Sequence, residues 1–268
     1  MLWIVATPIG TLDDLSPRAR EVLRSADLIA SEDTRVTRRL LSAVDIPSPQ
    51  LVALHAHNEE AISQRLAEDA RERSVALVCD AGTPGISDPG TALVAACHRL
   101  GVEVRSVPGP SALAGALAAS GLPAIPSTFL GFPPRKGRDG WVRAALAVPH
   151  TVVCYEAPTR VAELISLFAA HAPDREAVLC REISKRYEEI VRRPLPLLAA
   201  DLGGRDEVLG ECVLVVGPGQ PLRAAVAEAE AGDGLKKIAE LLAQRWGRPR
   251  RVVYEQLLAL GDADDGGA

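Results

Sequence analysis

Val75-Ala-Leu-Val-Cys79 runs into Asp80-Ala-Gly-Thr-Pro-Gly-Ile-Ser-Asp-Pro-Gly90, and a helical pattern follows from Thr91 to Leu100. The first five residues read as a buried strand. The next eleven pack three glycines, two prolines and two aspartates into one strand-to-helix turn. Glycine lets backbone approach a ligand closely, and proline holds a loop in one shape. In an open α/β sheet such loops lie at the carboxyl edge of the strands, where ligands bind. A plain helix start, with Asp88 as N-cap and Pro89 at the first helical position, accounts for residues 88–90. It leaves Asp80 to Gly85 without a purpose, so the stretch reads as a binding loop.

The strand–loop–helix unit repeats around it. Strand-like runs at Leu2–Ala6, Leu28–Ala30, Leu51–Leu54 and Val102–Val107 alternate with helical patterns at 17–26, 35–43, 59–73 and 111–120. Ser16 and Pro17 form a ready helix start. This alternation predicts an α/β fold with a mostly parallel sheet and helices on both faces. Gly121-Leu-Pro-Ala-Ile-Pro126 breaks the rhythm and marks a domain boundary. Beyond it, strands are expected at 128–132, 151–155, 177–183, 187–192 and 211–216, with helices at 139–147 and 159–171. Two successive strands without an intervening helix predict a mixed sheet. The expected organisation is a first α/β domain over 1–122 and a second over 123–217. A linker at 218–234, a basic helical appendage at 235–260 and a disordered tail at 261–268 complete it.

The 268 residues carry a formal charge of -5, so an RNA partner would have to be held by local basic patches. Arginine (26) greatly outnumbers lysine (4), which lowers the weight of any arginine cluster. The five cysteines lie mostly in apolar runs and show no metal or redox spacing, which fits a reducing cytoplasm. No signal peptide or membrane-spanning run is expected.

Three glycine/proline turns, 7–10, 80–90 and 108–111, follow strands of the first domain and are expected to line one pocket. The first has a single glycine and no G-x-G-x-x-G, and no Walker lysine is present, so the ligand needs no pyrophosphate cradle. Glu32-Asp33-Thr34-Arg35 follows the second strand. Asp33 is placed to cap the next helix, while the two carboxylates and Arg35 could also serve the pocket. His55-Ala-His57 lacks further ligands for a metal, and no metal is expected. Tyr155-Glu156 and Arg181-Glu-Ile-Ser-Lys185 close strands of the second domain. Arg135-Lys136-Gly-Arg138 sits on a mobile-looking loop. Residues 235–256 hold six basic and two acidic side chains with Trp246 and Tyr254 among them.

Thr7-Pro-Ile-Gly10, Glu32-Asp-Thr-Arg35, His55-Ala-His-Asn-Glu59, Asp80 to Gly90, Pro108-Gly-Pro-Ser111, Tyr155-Glu156, Arg181 to Lys185 and Leu235-Lys-Lys237 together resemble the tetrapyrrole methylase superfamily. Within it they are most similar to the branch that methylates a cytidine 2′-oxygen in small-subunit (16S) ribosomal RNA. The resemblance implies two α/β domains with S-adenosylmethionine (SAM) in the cleft between them. It puts SAM against Pro8, Asp80, Gly82, Ile86, Ser111 and Ala112, with Phe132 and Tyr155 closing from the second domain. Leu209 stands where relatives carry a basic residue before the late Gly-Glu pair, and 218–234 matches nothing.

The implied chemistry needs a base or an alkoxide-stabilising cation. Glu32 or Glu156 is expected as base, with Arg35 or Lys185 stabilising charge. Arg38, Arg135, Lys136, Arg138, Lys236, Lys237, Arg250 and Arg251 are the expected RNA contacts. The partner would be 16S rRNA or the small ribosomal subunit, and a homodimer is expected by analogy. A small-molecule, tetrapyrrole-type methylase would keep the SAM loops without the basic patches. A non-catalytic RNA-binding module would keep the patches without the Asp80 loop.

Overall fold

The computed structural model describes residues 1–219, 236, 239, 240, 243 and 249–261, the side chains of 256–261 excepted. Contacts divide the chain into two compact units, Met1–Ala119 with Cys180–Glu189, and Ser120–Leu179 with the residues from Ile190 onward.

In the first unit, β1 (Leu2–Val5), β2 (Leu28–Ser31), β3 (Gln50–Ala53), β4 (Val75–Val78) and β5 (Val104–Val107) form a sheet in the order β3-β2-β4-β1-β5. The pairs β1–β4, β1–β5, β2–β3 and β2–β4 are all parallel. Connections run through α1 (Pro17–Ser25), α2 (Thr34–Ala43), α3 (Glu59–Glu72) and α4 (Thr91–Arg99), and α5 (Ala112–Ser120) follows β5. β2 and β4 are buried along their whole length, as strands covered on both faces must be.

Alternation sorts their side chains between two cores. Leu28, Ala30, Val75 and Leu77 meet Leu66, Ala67, Leu93 and Ala96 on one face. Ile29, Ala76 and Val78 meet Ala19, Leu23 and Leu41 on the other. Ser16 caps α1 through its hydroxyl, which accepts from the Ala19 amide at 3.1 Å, and Pro17 opens that helix.

In the second unit, β6 (Ser127–Phe129), β7 (Thr151–Glu156), β8 (Glu176–Arg181), β9 (Glu189–Pro194) and β10 (Cys212–Val216) take the order β6-β7-β10-β8-β9. β6 runs parallel to β7 and β10 antiparallel to it, so this sheet is mixed, as two successive strands implied. α6 (Arg138–Leu146), α7 (Pro158–His171) and α8 (Leu195–Gly203) supply Val142, Leu164, Phe168 and Leu198 to its core. α8 was not anticipated, although Leu195, Leu198 and Leu202 are its buried residues at helical spacing. α9 spans Arg250–Gly261. The expected linker from residue 220, the helix break near Gly247 and the tail beyond Gly261 lie outside the described residues. All five cysteines are free and buried. No helix among the described residues is long and apolar enough to cross a membrane.

Candidate functional site

Because the first sheet is parallel, the loops after β1, β2, β4 and β5 leave along one edge. The structure ties three of them together. The Thr7 amide donates to the Gly82 carbonyl at 2.8 Å, and the Gly82 amide donates back to the Thr7 carbonyl at 3.1 Å. The Thr83 hydroxyl donates to the Pro110 carbonyl at 3.1 Å. Pro8, Gly82, Ser111 and Ala112 therefore belong to one connected loop system in this unit. Ile86 is 41% exposed within it. A Cβ at Gly85 would stand in open space, so the loop's backbone is uncovered there.

The far end of the Asp80 loop departs from the expected helix start. α4 begins at Thr91 with Gly90 as N-cap, and the capping carboxylate is Glu59 of α3. Its Oε1 accepts from the Gly90 amide at 2.9 Å and the Ala92 amide at 2.8 Å. Gly90 has φ +140°, and a Cβ there would lie 2.6 Å from Leu77 Cδ2. Only glycine meets both demands. Asp88 faces Cys79 instead: burial foremost pushes its carboxyl up to about 6, and the nearby charges of Glu32 and Asp80 add to this.

At the end of β2, Asp33 does cap α2. Its Oδ1 accepts from the Arg35 amide at 2.8 Å, and its Oδ2 lies 2.6 Å from Arg35 Nη2. The Arg35 side chain, 77% exposed, holds the Asp33 carboxyl below the usual range. The Asp33 amide in turn donates to Asp80 Oδ1 at 3.1 Å, which joins the β2 loop to the β4 loop. Glu32 is half-buried beside them. Burial, then the negative charge of Asp80, pushes its carboxyl above the ordinary range, which makes it a stronger base. Burial likewise raises Asp80.

Lys185 belongs to the Cys180–Glu189 segment of the first unit, where its Nζ lies 2.8 Å from Glu182 Oε1. Arg38 is exposed on α2. In the second unit the Tyr155 ring packs edge-on against Phe129 at 4.8 Å and against Phe132, 55% exposed, at 5.4 Å.

Burial sets two of the expected site residues apart from the rest. The Glu156 side chain is fully buried, with Arg138 Nη2 2.7 Å from one oxygen and Arg160 Nη2 2.8 Å from the other. Both Glu156 carboxylate oxygens are thus engaged by guanidiniums inside this unit. The Arg138 side chain is only 6% exposed and is turned to Glu156. Arg135 and Lys136, in contrast, are exposed and carry no ion pair among the described residues. Lys236 is exposed, Lys237 lies outside the described residues, and Arg250 and Arg251 lie 3.9 and 3.2 Å from Glu240 and Glu255. Sequence reasoning missed Glu59 as an organiser of the loop, although Glu59 ends a quoted motif.

The fold agrees with comparisons to known proteins. Ribosomal RNA small subunit methyltransferase I of Xylella fastidiosa (strain Temecula1) is 42% identical over 94% of this chain and 97% of its own length. The protein of the same name from Pseudomonas aeruginosa is 41% identical over 96% of each chain. Among solved structures, a diphthine synthase superposes with a TM-score of 0.61 at 20% identity, covering 81% of this chain and 89% of that one. A uroporphyrin-III C-methyltransferase from Thermus thermophilus, complexed with S-adenosylhomocysteine, gives 0.55 at 20% identity, covering 83% and 99%. Residues 1–199, which include the whole connected loop system, match the family described as tetrapyrrole (corrin/porphyrin) methylases, and the chain belongs to that family.

Proposed function

We propose that the chain transfers a methyl group from SAM to the ribose 2′-oxygen of a cytidine in small-subunit (16S) ribosomal RNA. The observation that carries this reading is the 41–42% identity, over nearly the full length, to proteins named ribosomal RNA small subunit methyltransferase I. The solved tetrapyrrole methylases, at about half that identity, share the fold and say nothing of the substrate.

The residues present fit SAM. Asp80 offers a carboxylate to a positively charged cofactor, and Gly85 leaves loop backbone uncovered for close approach. Pro8, Asp80, Gly82, Ile86, Ser111 and Ala112 are its proposed contacts, with Phe132 and Tyr155 the aromatic members from the second unit. The bound sulfonium supplies a methyl already activated for transfer.

What remains for the chain is to orient the ribose, exclude water and remove a proton from the 2′-hydroxyl. Glu32 takes that proton in this reading: its carboxyl is raised by burial and by Asp80, and among the described residues no cation is paired with it in the way that Arg138 and Arg160 are paired with Glu156. Arg35 and Lys185 are the proposed stabilisers of the developing alkoxide, each held ready by its own carboxylate, Asp33 and Glu182. Arg38, Arg135, Lys136, Lys236, Lys237, Arg250 and Arg251 are the proposed phosphate contacts, a set from which Arg138 is removed. A cytoplasmic homodimer completes the proposal.

The test is transfer of labelled methyl from SAM to small ribosomal subunits isolated from cells lacking the enzyme, followed by mapping of hydrolysis-resistant ribose. A single modified cytidine is expected. Label on a base, or on no RNA at all, refutes the reading.

A further inference from the structure

The Cys180–Glu189 segment carries a feature that the proposed reaction does not use. Tyr187 is 65% exposed, and the Arg186 guanidinium lies 5.5 Å from its ring centroid. Arg186 is exposed too and has no ion pair among the described residues. An exposed aromatic ring beside an unneutralised guanidinium offers two flat cationic or π faces. That combination suits a splayed-out nucleobase, which stacks on aromatic rings and on arginine planes alike.

The segment that presents this pair is held rigidly. The Thr11 hydroxyl donates to the Ser184 carbonyl at 2.8 Å, and the Ser184 hydroxyl donates to Asp14. Ser184's own amide donates to Glu188 Oε2 at 2.6 Å. The Lys185 amide donates to the Glu182 carbonyl at 3.0 Å, and the Glu188 amide to the Lys185 carbonyl at 3.2 Å. Gly10 lies so close that a Cβ there would come within 2.6 Å of the Ser184 carbonyl carbon. Glu182 (φ 53°) and Ser184 (φ 63°) take left-handed conformations that side chains adopt at a cost, and strain of this kind is kept where surrounding contacts enforce a shape. A lone exposed tyrosine on a loose tip would need no explanation. One displayed beside a bare guanidinium on a clamped, strained loop does.

We propose that Arg186 and Tyr187 form a stacking platform for an unpaired nucleotide of the RNA substrate, adjoining Lys185. This rests on the reading of the chain as an rRNA methyltransferase. RNA is favoured over a protein partner because the guanidinium lacks a carboxylate partner while the chain as a whole is acidic.

Two measurements test it. The first is fluorescence anisotropy of a fluorescein-labelled, single-stranded ten-cytidine oligoribonucleotide at low salt. Tyr187→Ala and Tyr187→Leu are expected to bind about tenfold more weakly than the wild type, and Tyr187→Phe as well as the wild type, because stacking needs a π face and not merely apolar bulk. The second is methyl transfer to undermethylated small subunits, where Tyr187→Ala is expected to raise KM for the subunit by a similar factor.

A wild type that binds no oligonucleotide overturns the platform, and so does a Leu variant that binds as the Phe variant does. A raised subunit KM with unchanged oligonucleotide binding also overturns it and points to a ribosomal protein as the partner. If the wild type methylates no RNA yet binds the oligonucleotide in a Tyr187-dependent way, the rRNA reading fails and the platform stands.

Discussion

Glu59 holds Gly90: one oxygen of the carboxylate on α3 accepts both the Gly90 and Ala92 amides, at 2.9 and 2.8 Å, and so closes the far end of the Asp80 loop. Replacing Glu59 by alanine leaves two amides at a helix start without their acceptor. A loss of about 1–3 kcal/mol is expected in urea denaturation, together with weaker SAM binding by calorimetry. Glu59→Gln keeps an acceptor oxygen and should retain most of both. An alanine variant as stable as the wild type would show that the cap does not hold the loop.

Glu32 and Glu156 should separate cleanly when each is changed to glutamine. Glu32→Gln is expected to lower kcat by about 10²–10⁴-fold with little change in stability. Glu156→Gln leaves Arg138 and Arg160 without their shared counter-charge and should cost about 3–5 kcal/mol of stability. Its turnover per folded molecule should survive. Single-turnover kinetics paired with denaturation curves distinguish the two, and full turnover by the Glu32 variant would remove it as base.

Asp88 makes stability depend on pH in a defined direction. Its carboxyl, ordinarily near 3.8, is pushed up to about 6 in the folded chain, so the folded state holds this proton more tightly than the unfolded state. Stability from the protonated form is full below about pH 4 and is lost as pH rises through 6. Discounted for partial exposure, the effect is about 1 kcal/mol, or about 2–4 °C in Tm. Asp88→Asn should therefore raise Tm relative to the wild type more at pH 7.5 than at pH 4. An equal shift at both values would mean that the carboxyl titrates normally.

Phosphate contacts are read from salt dependence. Binding to small subunits should weaken steeply with salt, and Arg135→Ala and Lys136→Ala should each reduce the log–log slope by about 1. SAM binding should be far less sensitive. Identical slopes for the wild type and both variants would exclude this loop as a phosphate grip.

What the sequence makes legible here is what is local. Alternating Leu28/Ile29/Ala30 and Val75/Ala76/Leu77 announce buried strands, and Ser16-Pro17 announces a helix start, because period and capping depend on near neighbours. The turns at Thr7, Asp80 and Pro108 could be placed on one edge because parallel strands share their direction. What escaped depends on distant pairing. Asp88 was the natural local cap, yet Glu59 does the capping from 31 residues before Gly90. Arg138 and Glu156 look like solvated ends of elements until the fold brings them together. The Thr11–Ser184 clamp joins residues 173 apart. α8 is the exception, since Leu195, Leu198 and Leu202 carried the period and Pro194 and Pro196 obscured it.

The reciprocal Thr7–Gly82 pairing has a consequence for anyone wishing to move this loop elsewhere. Asp80 to Gly90 is not a portable cassette. Its near end is stitched to the turn after β1, its middle to Pro110 and its far end to a helix that follows a different strand. A transplant into another parallel sheet would have to bring three anchoring neighbours with it, at matching heights along the strands. Changing the length of the Thr7 turn alone would disturb the Asp80 loop as surely as editing the loop itself.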